Sequence, residues 1–139
     1  MVNVLVIGCG RVGAGVALEL TGAGWDVSVI DEREEALGRL GDHWPGRFVV
    51  GHGMDTEVLR QGGIEDADAV VVATNGDNTN IVIGQVAARR FEVANVAVRI
   101  LDPARARFYA SQGMQTICPT QTAIESLTAA VLAGEPTPA

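Results

Sequence analysis

Short, almost wholly apolar runs recur along this chain, each followed by a stretch with helical periodicity, and that alternation limits the folds open to it. The strand-like runs are residues 2–7 (VNVLVI), 27–30, 48–50, 69–73 (AVVVA), 96–101 (VAVRIL) and 116–118. Between them, residues 11–21 space Val12, Val16 and Leu20 along one helical face and close at Gly22 and Gly24. Residues 32–41 read as a short helix carrying Ala36, Leu37 and Leu40. Asp55 is placed to cap a turn bearing Val58 and Leu59 that stops at Gly62 and Gly63. Asp77 or Asn78 caps a helix with Ile81, Ile83, Val86 and Ala87. Asp102-Pro103 offers an N-cap followed by proline at the first helical position, for a helix running to about residue 112. Residues 122–133 form a last amphipathic helix through Ile124, Leu127, Val131 and Leu132. Strands alternating with helices predict βαβ units and a parallel sheet. Runs that are apolar throughout suit a sheet covered on both faces. The expected fold is therefore α/β: a Rossmann-like, doubly wound, parallel six-stranded sheet. One domain over residues 1–133 accounts for it, with 134–139 (GEPTPA) as a flexible tail.

Composition narrows the chemistry. The 139 residues are 47% apolar and 19% charged, which is globular rather than disordered. Aromatics make up only 4%, so the core must be built from Val, Ile, Leu and Ala. All ten basic residues are arginine. Without lysine, Schiff-base catalysis and the phosphate-binding lysine of a P-loop are excluded. A net charge of −7 makes nucleic acid and anionic lipid poor partners. Cys9 and Cys118 have no metal-type spacing, which predicts a reduced, metal-free chain. The first apolar run ends after Ile7, too short for a signal sequence or a membrane span, so a cytoplasmic protein is expected.

Gly8-Cys9-Gly10-Arg11-Val12-Gly13 is a GxGxxG directly after the first strand and at the opening of the first helix. In that context the first glycine makes the tight turn, the second admits pyrophosphate to the backbone, and the third packs helix on sheet. The helix start adds free N–H groups and partial positive charge. Asp31, 23 residues after Gly8 at the end of the second strand, is placed to accept hydrogen bonds from ribose hydroxyls. It would repel a 2′-phosphate, which favours NAD(H) or a simple adenine nucleotide over NADP. Arg11 either reaches a terminal phosphate with its planar fork of donors or stands solvated at the helix start. Cys9 reads as a small loop residue rather than a reactive thiol. His43 belongs to a solvated loop, and His52 follows the third strand, near where an adenine ring would sit, as a wall residue rather than a general base. No Ser/His/Asp order or carboxylate pair marks a catalytic centre.

Several stretches together resemble the N-terminal lobe of RCK domains, also called KTN or Trk-type NAD-binding domains. They are VIGCGRVG (6–13), VSVIDE (27–32), VVGHGMDTEVLRQGGIEDADAVVVAT (49–74), GDNTNI (76–81), VAVRILDP (96–103) and YASQGMQTICP (109–119). The most specific is the phrase Gly53, Asp55, Leu59, Gly62-Gly63-Ile64 and Asp68, which ordinary dehydrogenases lack. The resemblance implies that Gly8, Cys9, Gly10, Val12 and Gly13 form the nucleotide loop and that Arg11 touches phosphate, within its own subunit or across a dimer. It implies Asp31 on the adenosine ribose and Glu32 and Arg33 beside the adenine. Ala73 and Thr74 would lie near the phosphates and second ribose, with Arg99 facing phosphate or serving as a structural strand-end arginine. The family often carries an acid at position 52. His52 and Gly53 occupy this turn instead, so the acid that would meet the adenine amine is missing there. Thr120 follows Pro119 where some members place a metal-holding glutamate, so no metal is expected.

The resemblance also implies a non-enzymatic regulator of a membrane potassium channel or of a Trk/Ktr-type potassium transporter, peripheral to the inner face of the membrane. Its gating would respond to NAD(H) or ATP/ADP. The last helix would cross to a neighbouring subunit in a homodimer or a larger ring, or else pack on its own sheet. The rival readings are a dehydrogenase-like domain whose substrate partner is another chain, and a nucleotide sensor acting on a different partner. A length of one nucleotide lobe favours switching over catalysis.

Overall fold

The computed structural model describes residues 1–134 and residue 136, so most of the expected flexible tail lies outside the described residues. Six strands, β1 (Asn3–Ile7), β2 (Asp26–Asp31), β3 (Arg47–Val50), β4 (Ala69–Val72), β5 (Asn95–Arg99) and β6 (Gln115–Ile117), form one sheet in the order β3-β2-β1-β4-β5-β6. Every pairing is parallel. This is the doubly wound order expected from the alternation. The helices are α1 (Arg11–Gly22), α2 (Thr56–Gln61), α3 (Asp77–Gln85), α4 (Pro103–Ser111) and α5 (Pro119–Ala133).

The side-chain alternation of β1 shows how the core divides. Val4 and Val6 face α1 and join Ala14, Ala17, Val27, Val29 and Leu40 in one buried cluster. Leu5 and Ile7 face the opposite side and join Leu59, Val70, Val72, Ile83 and Ile100. Both faces of the central strand are thus covered, as its unbroken apolar run requires. Strand order reverses at β1, where Ile7 is in register with Ile30 of β2 on one side and Val72 of β4 on the other. The chains leaving β1 and β4 turn away to opposite faces there, which opens a crevice at the carboxyl ends of the strands.

Three local expectations change, and one helix continues in an altered form. The segment after β2, expected as a short helix over 32–41, is a 3-10 helix over Glu34–Leu40. Its seven residues include Gly38, which weakens a helix interior, and it ends at Gly41 with φ +88°. The helix α3 runs on past Gln85, as the spacing of Val86 and Ala87 predicts, but widens there into a π-helical turn, Val86–Arg90. Asp77 is not the cap of α3: Gly76 holds that position. The Asp77 carboxylate instead accepts the backbone N–H groups of Leu101 and Asp102, at 2.7 and 3.0 Å. Finally, α5 begins at Pro119, with the Cys118 sulfur accepting from the N–H of Gln121 at 3.4 Å. Asp55 and Asp102 are the N-caps that their spacing predicts, accepting from the N–H groups of Glu57 and Arg105.

The turn after β1 tolerates no side chain at two points. Gly8 has φ +100°, and a Cβ there would stand 2.5 Å from the Ala73 carbonyl oxygen. A Cβ on Gly13 would stand 1.7 Å from the carbonyl oxygen of Gly8. Replacing Gly13 by alanine is expected to force α1 off the sheet and cost about 3 kcal/mol. The urea unfolding midpoint should then fall by about 1 M or more; an unchanged midpoint would show that the helix is not packed this closely.

Candidate functional site: the crevice at the end of β1

The crevice has a volume of about 850 Å³, within the range of small-molecule sites. Of the residues expected to bind nucleotide, the fold brings to its walls Gly8, Cys9, Gly10, Arg11, Val12, Asp31, Glu32, Arg33, His52, Gly53, Ala73, Thr74 and Arg99. Gly13 lies behind them, buried between α1 and the turn.

At the centre, α1 starts with no side-chain cap and no acid in its first turn. The first N–H groups of a helix have no partner within it, so those of α1 are left for a ligand. Beside them Asp31 is already engaged. One carboxylate oxygen accepts the N–H of Cys9 at 2.7 Å and the other accepts the N–H of Arg33 at 2.8 Å. Each oxygen keeps a second lone-pair direction for a hydroxyl donor. The acid therefore holds the glycine turn against the end of β2 and remains able to accept from a ligand. The Cys9 thiol is buried and donates to the carbonyl of Ala36. Burial pushes its pKa up, the Asp31 carboxylate adds to the effect, and the charge of Arg39 opposes both. It is a small buried loop residue and not a thiolate nucleophile.

On the β4–β5 side, one side chain organises the wall. Asn80 is fully buried in α3. Its amide oxygen accepts from the N–H of Thr74 at 3.0 Å and from the Thr74 hydroxyl. Its amide nitrogen donates to the carbonyls of Thr74 and Arg99, at 3.1 and 2.9 Å. Arg99 in turn donates from Nη2 to the Thr74 carbonyl. The Arg99 Nε is buried with no hydrogen-bond partner among the described residues. A guanidinium so placed, with no acid within ion-pair distance among the described residues, is suited to an anion.

At the β2–β3 end, His52 and Glu32 pair, with Nε2 2.9 Å from Oε1. His52 Nδ1 accepts the N–H of Met54 at 3.1 Å. Both ring nitrogens are therefore in use.

Among the residues not anticipated, Arg39 lines the crevice and Asn80 lies buried behind its wall. Asn80 had a legible signal, an amide beside Ile81 where the helix pattern calls for an aliphatic side chain. Arg39 had none; it lies in the 3-10 segment after β2 and its side chain reaches towards the glycine loop. Its Nη1 comes within 4.0 Å of the place a Cβ would occupy on Gly10. Among the described residues no cluster of three or more His, Cys, Asp or Glu could hold a metal, and no helix is long and apolar enough to cross a membrane.

The TrkA-N domain family profile matches residues 4–119. The chain belongs to the TrkA-N domain family. The Trk system potassium uptake protein TrkA of Streptomyces coelicolor is 44% identical over 115 residues, which are 83% of this chain and 52% of that relative. This TrkA-N domain thus spans about half the length of that relative. Among solved structures, GsuK bound to ADP superposes with a TM-score of 0.83 at 23% identity, over 96% of this chain and 35% of that one. The AMP-bound C-terminal domain of Kef from Shewanella denitrificans gives 0.81 at 21% identity, over 96% and 82%. At these identities the structural likeness establishes the shared fold.

If Asn80 holds the TrkA-N crevice open, Asn80→Ala strands the Thr74 N–H and removes a tie between β4 and β5. A loss of about 3 kcal/mol follows, or roughly 10 °C in melting temperature. A melting curve superimposable on the wild type would refute this role.

Proposed function

We propose that the domain binds an adenine nucleotide without a 2′-phosphate, NAD(H) or ATP/ADP, and that binding regulates a potassium channel or a Trk/Ktr-type transporter from the cytoplasmic side. The observation that carries the nucleotide reading is the uncapped start of α1 beside an acid already latched to the glycine turn. Phosphate would lie on the free N–H groups of α1, with Arg11, Arg39 and Arg99 supplying positive charge. Asp31 would take the ribose hydroxyls with its remaining lone pairs. The crevice volume and the unpartnered Arg99 Nε fit such a ligand. The potassium reading is supported by the relatives, which are named potassium uptake proteins.

Regulation is favoured over hydride transfer by the commitment of His52. With Nδ1 accepting from Met54 and Nε2 facing Glu32, its ring has no free lone pair for general-base work. Oxidation of NADH with small keto acids as partners would overturn this reading.

The last helix supports a dimer. No residue of α5 is buried, which speaks against its packing on its own sheet. Ile124, Leu127, Val131 and Leu132 lie on one face, with Leu127 69% and Val131 75% exposed. A stripe of this kind calls for a partner. In our reading the partner is the same helix or body of a second copy, in a homodimer or larger ring. Nucleotide would then shift the geometry of that assembly by binding one form more tightly than another.

Calorimetric titration is expected to show binding of NAD⁺, NADH, ATP or ADP, weaker binding of NADPH, and at least a tenfold loss, about 1.4 kcal/mol, in Asp31→Ala. Equal affinity in Asp31→Ala would overturn the ribose assignment. Light scattering should give at least a dimer mass, reduced to a monomer by Leu127→Asp with Val131→Asp. A monomeric wild type would remove α5 from the mechanism.

A further inference from the structure

We propose that His52 is a positioning residue that aims the Glu32 carboxylate at the exocyclic amine of a bound adenine, and so sets the base preference of the site. The inference rests on the nucleotide reading above and goes on to ask which base that site selects.

The placement follows from the crevice. If phosphates lie on α1 and ribose on Asp31, the base extends past the end of β2 towards β3. The backbones there are locked, since Asp31 pairs with Val50 and the N–H of Gly51 donates to the Asp31 carbonyl at 3.0 Å. Glu32 directly follows β2 and His52 directly follows Gly51, so this locked backbone brings the two side chains side by side.

The polarity of the pair is then settled by a neighbour. The Met54 N–H points at His52 Nδ1, which must therefore carry the lone pair. The ring proton resides on Nε2 and is donated to Glu32 Oε1. One carboxylate oxygen is thereby held by the imidazole, and Oε2 is left as a fixed acceptor at the β2–β3 end of the crevice. An ionised carboxylate accepts only. The 6-amino group of adenine donates to it, whereas the 6-oxo group of hypoxanthine or guanine would set lone pair against lone pair.

The test compares ADP with inosine diphosphate, and NAD⁺ with nicotinamide hypoxanthine dinucleotide, by calorimetry on the full chain. Each pair differs at the 6-substituent of the base, with the accompanying change of protonation at N1. The wild type is expected to favour adenine by about tenfold in whichever pair binds. His52→Ala should shrink that ratio several-fold by weakening the adenine nucleotide. His52→Gln, whose amide can still donate to Glu32, should restore it. Glu32→Gln should invert the preference, because His52 would hold the amide oxygen and leave the NH₂ group facing the 6-oxo base. His52 is half exposed, so its replacement leaves the core untouched, and a matching far-ultraviolet dichroism spectrum verifies this. Equal affinity of the wild type for both bases, or an unchanged ratio in His52→Ala, overturns the inference and leaves the nucleotide reading standing. Failure of the wild type to bind any of the four overturns both.

Discussion

Gly13 lies so close to the carbonyl of Gly8 that not even a methyl group fits between helix and turn. Everything at the carboxyl edge of the sheet depends on that approach. It sets α1 down on the end of β1 and aims its first N–H groups into the crevice rather than into solvent beyond it. It also makes the turn short enough for Asp31, on the neighbouring strand, to reach the N–H of Cys9. An ordinary turn with side chains would lift α1 away and break the link between the two strands. The glycines are therefore packing residues as much as ligand residues.

The two walls of the crevice are rigid for different reasons. On the β1–β2 side a partly buried acid ties backbone to backbone. On the β4–β5 side a buried amide does so, and each of its partners belongs to the loop or strand end that lines the cleft. Burying a carboxamide is costly unless its hydrogen-bonding capacity is used, and Asn80 uses both its oxygen and its nitrogen. Arg99 leans on the same carbonyl and brings its charge to the wall at a fixed height. The charge carriers among the basic residues are all guanidiniums, whose planar donors suit such fixed geometry better than a flexible ammonium would.

The fold was legible because its signal is coarse. Six apolar runs separated by helical stretches admit few architectures, and the glycine loop marks the strand at which order reverses. The crevice was legible where a residue type has one use, as with Gly8, Gly13 and Asp31. It was not legible where direction depends on local helix geometry. Arg39 lies on a segment that reads only as a short helix, and the sequence does not give the 3-10 pitch that sets the angles of its side chains. Asp77 has the residue type of an N-cap, yet it caps the turn into α4, 24 residues away, because the ends of β5 and α3 meet in space. His52 read as the loss of an acid from the β3 turn. The structure shows an acid beside it after all, contributed by Glu32 from the adjacent strand.

The latch between Asp31 and Cys9 has one more consequence. Loop amides at a cleft mouth usually exchange their protons with water almost freely, whereas the amide of Cys9 is buried and held by a carboxylate. Its exchange rate is therefore governed by opening of the glycine turn itself. That single proton is a clock for the turn, readable by exchange with heavy water and without any bound ligand.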